Sequence, residues 1–81
     1  MTRIELESVV RRLLGAIAPE ADLSALKPEV PFRDQLDMDS MDLLNFFVAI
    51  EKELGVSVPE ADYAKVSTLG GCVDYLAAAL G

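Results

Sequence analysis

Between Leu6 and Ile17, apolar residues (Leu6, Val9, Val10, Leu13, Ile17) recur every three or four positions, with Glu7, Arg11 and Arg12 outside. That period predicts an amphipathic helix. Thr2-Arg3-Ile4-Glu5 precedes it as a capping box, in which the Thr2 hydroxyl meets the Glu5 amide and Glu5 reaches back to the Thr2 amide. Met1 and Leu6 occupy the two hydrophobic-staple positions around that box. Pro19 ends the element, because the residue before a proline is pushed out of helical geometry.

A second helical period runs from about Ser40 to Leu54. Asp39 is placed as N-cap, Asp42 at the third helical position and Gly55 at the stop. Leu43, Phe46, Phe47, Ile50 and Leu54 form a core sector, while Met41, Leu44 and Val48 form a neighbouring one. This apolar arc is wider than burial in a small bundle requires. Pro59 to Tyr63 reads as a single helical turn with proline at its first position. Ser67 or Thr68 then caps a last helix to about Leu80, with Leu69, Cys72, Val73, Leu76 and Leu80 facing inward. Gly70-Gly71 in its first turn costs about 1 kcal/mol per glycine against alanine, which either close helix contact or local softness would explain.

Pro19 to Met38 connects the first two helices. Connections beyond about 12–15 residues are uncommon and often functional. Pro28 and Pro31 stiffen this one, and Leu23, Leu26, Val30, Phe32 and Leu36 give it an apolar underside, so it is expected to pack across the bundle as a loop. The predicted fold is all-α: one domain over residues 1–81, four helices, a long first loop and a very short third helix.

Composition narrows the chemistry. The 81 residues contain one cysteine and no histidine. Internal disulfides, Ser-His-Asp and Cys-His catalysis and histidine-based metal sites are therefore excluded. No apolar run approaches the roughly 20 residues of a membrane helix, and the first residues lack a signal peptide's layout. A monomeric cytoplasmic protein is expected. Paired carboxylates without a visible concave site do not make an acid–base enzyme. Asp37-Met38-Asp39 fails as a calcium loop, because glycine is missing at the sixth position and Met41 stands at the fifth, so no metal site is expected. Cys72, on the inward stripe, is expected to be an inert buried thiol.

The charge is uneven. Residues 34–62 hold eight acids against Lys52 alone, which accounts for the whole net charge of −7. Such a surface repels nucleic acid and anionic lipid and steers basic protein surfaces. Within this stretch Ser40 opens a helix directly after an N-cap aspartate, where first-turn amides and the helix dipole favour a phosphate. On these grounds alone Ser40 is either a phosphodiester carrier or a polar first-turn residue.

Leu36-Asp37-Met38-Asp39-Ser40-Met41-Asp42-Leu43-Leu44 closely resembles the attachment motif of acyl carrier proteins, D-S-L followed by an acid, with methionine replacing the leucine. Phe32 to Leu36 is similar to the family's preceding loop. Ile50 to Val56 with Val58-Pro59 looks like its exit from the second helix, and Val73 to Leu76 like its last helix. The resemblance implies a four-helix carrier whose Ser40 receives 4'-phosphopantetheine from a phosphopantetheinyl transferase, with Asp39 and Met41 beside it. It implies no catalytic residue in the carrier itself, and acyl cargo held as a thioester on the arm. Basic surfaces of the transferase and of acyl-handling enzymes are expected on Asp37, Asp39, Met41, Asp42, Leu44, Val48 and Glu51. An acyl pocket is expected at Phe46, Phe47, Ile50 and Leu76.

Asn45 and Lys52 stand where an acid is usual in fatty-acid carriers, and two rings, Phe46 and Phe47, where aliphatic side chains are more frequent. These departures point to a specialised fatty-acid, lipid or polyketide-type pathway and to short or compact cargo. A free-standing aminoacyl or peptidyl carrier is the alternative, although peptidyl carriers usually have glycines before the serine. A rival from another class is an unmodified helical adaptor binding through Met41, Leu44 and Val48.

Overall fold

In the computed structural model, which describes residues 1–81, the capping box of the first helix is formed as its sequence requires. Glu5 N donates to Thr2 Oγ1 at 3.1 Å and Thr2 N donates to Glu5 Oε1 at 2.8 Å. These Thr2 bonds hold the Glu5 carboxyl below its ordinary pKa. Helix α1 (Arg3–Ile17) follows, ending where Ala18 turns toward Pro19. Its buried stripe is Leu6, Val10, Leu13 and Leu14; Leu14 joins because it lies one helical turn beyond Val10. Met1 stays 61% exposed while Leu6 turns into the core, so the expected staple contact does not bury Met1.

The 19–38 connection carries local structure of its own. A 3-10 turn, Leu23–Ala25, is capped by Asp22, whose carboxylate accepts from Ser24 N. A single helical turn, α2 (Phe32–Gln35), follows. The connection lies across the bundle as expected, with Leu26, Phe32, Leu36 and Met38 all buried. Backbone bonds fasten it to the end of the 3-10 segment and to the last helix: Phe32 N donates to Ser67 O at 2.8 Å, and Gly70 N to Pro28 O at 2.9 Å.

Helix α3 (Ser40–Leu54) has the bounds its pattern predicts. Gly55 ends it in the left-handed conformation, φ 69°, which favours glycine. The short third helix is longer than the single helical turn expected: it is a 3-10 segment, Glu60–Val66, with Pro59 at the N-cap and not the first helical position. Helix α4 (Leu69–Leu80) is capped by Thr68, whose hydroxyl accepts from Gly71 N at 3.0 Å. Leu69, Cys72, Val73 and Leu76 are buried on it. Leu80, expected inside, is 41% exposed, because the last turn extends past the packed core.

The two glycines of α4 are explained by close approach. A Cβ on Gly70 would lie 3.2 Å from the Pro28 carbonyl oxygen, and one on Gly71 would lie 2.4 Å from that of Lys65. The glycines let the loop and the 3-10 segment seat against the first turn of α4. One apolar cluster of 17 buried residues, drawn from α1, the connection, α3, the 3-10 segment and α4, forms the core. The architecture is all-α with four helical elements of seven or more residues, as the pattern predicts.

Candidate functional site

The approach to Ser40 alternates like a strand: Leu36 and Met38 are buried, Asp37 and Asp39 exposed. An extended backbone sends successive side chains to opposite sides, so two apolar anchors pin the segment while two carboxylates remain outside. Ser40 is then the first residue of α3, and it is exposed. Asp42 N donates to Asp39 Oδ1 at 2.8 Å, and Asp39 N donates to Asp42 Oδ2 at 3.3 Å. Asp39 and Asp42 thus satisfy each other's amides and fix the start of the helix. The amides of Ser40 and Met41 lie before the first intrahelical bond, from Leu43 N to Asp39 O. An exposed hydroxyl on the first turn, with free amides and the positive end of the dipole beside it, fits a phosphodiester.

Beside Ser40 the second apolar sector of α3 faces solvent, with Met41 60%, Leu44 40% and Val48 43% exposed. Asp37 and Glu51 flank it, both exposed and neither in an ion pair within the chain. Of the predicted partner residues, Met41, Leu44, Val48 and Glu51 fall in one sector of α3 at about 100° per residue, Asp37 and Asp39 lie just before the helix, and Asp42 falls outside that sector. Asp39 and Asp42 also serve the helix cap. And the acidic stretch is partly neutralised from outside: Glu53 pairs with Arg12 of α1, and Asp62 with Lys65 at 3.4 Å. The Asp62–Lys65 pair lies at i, i+3 and is legible in the sequence, whereas the Glu53–Arg12 pair is not, because its members lie 41 residues apart.

Phe46, Phe47, Ile50 and Leu76, the residues of the expected acyl pocket, are all buried in the core. Both rings point inward. Phe46 meets Phe32 edge-on at 5.5 Å and Phe47 at 5.8 Å, and Phe47 lies 4.5 Å from Tyr63. Phe32 and Tyr63 thus extend the aromatic set across three elements, which helical spacing in α3 alone did not reveal. A cleft of about 740 Å³ lies elsewhere, between the end of α1 and the connection, and none of those four residues lines it. Cys72 is buried as expected, and burial pushes its thiol up to about 12, so it is protonated and unreactive.

A helical domain with an exposed serine on a capped helix start fits a covalent carrier, and comparison with known proteins supports that class. The family described as "Phosphopantetheine attachment site" matches residues 5–76. The acyl carrier protein of Thermotoga maritima is 35% identical over 77 residues, covering 95% of this chain and 89% of that protein. That of Acidothermus cellulolyticus is 39% identical over 54 residues, covering 67% of this chain and 64% of that one. The solved structure of the acyl carrier protein from Enterococcus faecalis, noted for high thermal stability, superposes with a TM-score of 0.74 at 26% identity, covering 96% of this chain and 98% of that one. The chain belongs to the acyl carrier protein family, whose cofactor is 4'-phosphopantetheine.

Proposed function

We propose that this chain is a carrier domain over residues 1–81 that holds acyl intermediates as thioesters on a phosphopantetheine arm at Ser40. The observation that carries the reading is Ser40 itself: exposed, first in α3, and enclosed by the Asp39–Asp42 box inside the family's matched region. The arm supplies the thiol that forms the thioester. The chain's own contribution is to present the hydroxyl on a rigid helix start and to surround it with a docking face. Ser40 acts as acceptor only, and the carrier has no catalytic residue. Basic surfaces of the transferase and of acyl-handling enzymes dock on the face formed by Asp37, Met41, Leu44, Val48 and Glu51, with Asp39 and Asp42 adding charge at its end. No helix is long and apolar enough to cross a membrane; we place the carrier in the cytoplasm as a monomer.

The pathway is a specialised fatty-acid, lipid or polyketide-type one, handling short or compact cargo. The inward rings support this: Phe46 and Phe47 fill the core beside Ile50 and Leu76, and inserting methylenes into a packed core typically costs about 1–3 kcal/mol. Apo protein incubated with a promiscuous phosphopantetheinyl transferase, magnesium and coenzyme A should gain one phosphopantetheine by intact mass, and Ser40→Ala should fold and gain none. Modification that persists in Ser40→Ala would move the site. No modification of the parent chain would favour the unmodified adaptor.

A further inference from the structure

The sulfur atoms of the chain belong to three methionines and one cysteine. The fold sorts them sharply. Cys72 is buried on α4 and its thiol stays protonated, so it offers no thiolate. Met38 is 7% exposed. With Leu36 it anchors the segment before Ser40, and its amide donates to Leu36 O at 2.8 Å. Met41, three residues further on, is 60% exposed, and Met1 at the start of the chain is 61% exposed.

Position gives Met41 a consequence that Met1 lacks. It follows Ser40 directly and shares a sector of α3 with Leu44 and Val48. A thioether there supplies apolar contact only while it stays reduced. Oxidation to the sulfoxide turns a flexible apolar side chain into a polar one. A partner closing over Met41 with an apolar surface would then bury the S–O dipole without a donor, which is unfavourable. The fold is spared, because Met41 lies outside the core cluster. The capping bonds around it join Asp39 and Asp42 and do not use its side chain. Access to oxidant and effect on docking therefore coincide at one residue.

We propose that Met41 is an oxidation site, at which hydrogen peroxide converts the thioether to the sulfoxide and weakens docking of partner enzymes beside Ser40. The inference rests on the docking face of the proposed function. In the step, the sulfur lone pair attacks one peroxide oxygen, and the S–O bond forms as the O–O bond breaks. Sulfur is oxidised and the peroxide reduced. The proton on the transferred oxygen passes to the departing one, which leaves as water. Methionine sulfoxide reductases return the thioether, one enzyme for each sulfoxide epimer.

The test uses the apo chain, which has no arm thiol to compete for oxidant. After limited treatment with hydrogen peroxide and removal of the excess, peptide masses should show oxygen on Met41 and Met1 well before Met38. The oxidised protein should melt like the untreated one. Its modification by a phosphopantetheinyl transferase with coenzyme A should fall several-fold in kcat/KM, and the two reductases together should restore the rate. Met41→Leu separates Met41 from Met1: measured against its own untreated form, it should lose no rate on peroxide treatment. Met41→Gln, which carries a polar side chain permanently, should be modified more slowly than Met41→Leu. Met38 reacting as fast as Met41, an oxidised parent chain modified at the untreated rate, or an equal loss in Met41→Leu would each overturn the site. If Leu44→Ala slows the transferase while oxidation does not, the docking face stands and the oxidation site alone falls. A parent chain that gains no phosphopantetheine even untreated would overturn the site together with the carrier reading.

Discussion

At Gly71 a single methyl group would have to occupy space that the backbone already fills. Its Cβ would lie 2.4 Å from the Lys65 carbonyl oxygen and 2.9 Å from Thr68 Oγ1, the atom that caps α4. Gly71→Ala gains about 1 kcal/mol of helix propensity. It must also push the 3-10 segment away and disturb the cap, and overpacking of this kind typically costs about 1–3 kcal/mol. The net expectation is a lower melting temperature, by several degrees at this chain length. Gly15 is the control. A Cβ there meets only the Leu23 Cδ1 methyl, at 3.0 Å, which is the movable end of a side chain. Gly15→Ala should therefore be close to neutral or stabilising. Thermal melting of both variants checks the pair, and a Gly71→Ala protein as stable as Gly15→Ala would contradict the close approach. The glycine pair also shows what one sequence leaves open. Its propensity cost was legible from residue type, whereas the neighbour that demands it sits in another element.

Among the elements, the 3-10 segment Glu60–Val66 has the least local support. Its N-cap, Pro59, makes no side-chain cap bond, and 3-10 hydrogen bonds are poorer than α-helical ones. Tertiary contacts hold it: Val66 is buried, the Tyr63 ring lies on Phe47, and Tyr75 Oη of α4 donates to Asp62 Oδ2 at 2.8 Å. The Tyr75 bond, with Lys65 second, holds the Asp62 carboxyl below its ordinary pKa, and Asp62 raises that of Tyr75. A lowered carboxyl contributes stability that is present above its unfolded pKa and lost as pH falls through the folded one. A raised phenol contributes stability that is present below its unfolded pKa and lost as pH rises through the folded one. Tyr75→Phe should accordingly melt below the parent protein between the carboxylate and phenol ranges. The gap should close as Asp62 protonates, and amide exchange in Glu60–Val66 should speed up. A gap that stays constant from neutral pH into strong acid would exclude the bond as its source. Elements specified by adjacent residues were legible: the Thr2–Glu5 and Asp39–Asp42 boxes and the Gly55 stop fixed two helices near their true bounds. The sequence predicts this segment only through Tyr63, because the burial of Val66 that marks its true end leaves no local pattern.

For the molecule as a whole, the net charge of −7 acts through the few carboxylates that are free to act. Glu53 and Asp62 are paired internally, and Asp39 and Asp42 are bound into the α3 cap. Reversing a cap residue would mix two effects, since loss of an N-cap side chain alone typically costs about 1 kcal/mol. Asp37 and Glu51 isolate the electrostatic one: both are exposed, neither is in an ion pair within the chain, and they flank the Met41–Leu44–Val48 face. An exposed pair formed with a basic partner is worth only about 0–1 kcal/mol, so the contribution should appear mainly in association rate. The double variant Asp37→Lys, Glu51→Lys should melt like the parent protein. At low salt it should be modified by the transferase more slowly, by about tenfold in kcat/KM. Raising the salt should close the gap, because the screening length shrinks from about 30 Å at 0.01 M to about 8 Å at physiological ionic strength. Apolar contact through Met41, Leu44 and Val48 is insensitive to that screening, so Leu44→Ala should slow modification at both salt levels. Equal rates for the charge-reversed and parent proteins at low salt would mean that the transferase approaches Ser40 from another side, leaving the exposed apolar sector of α3 without its proposed partner.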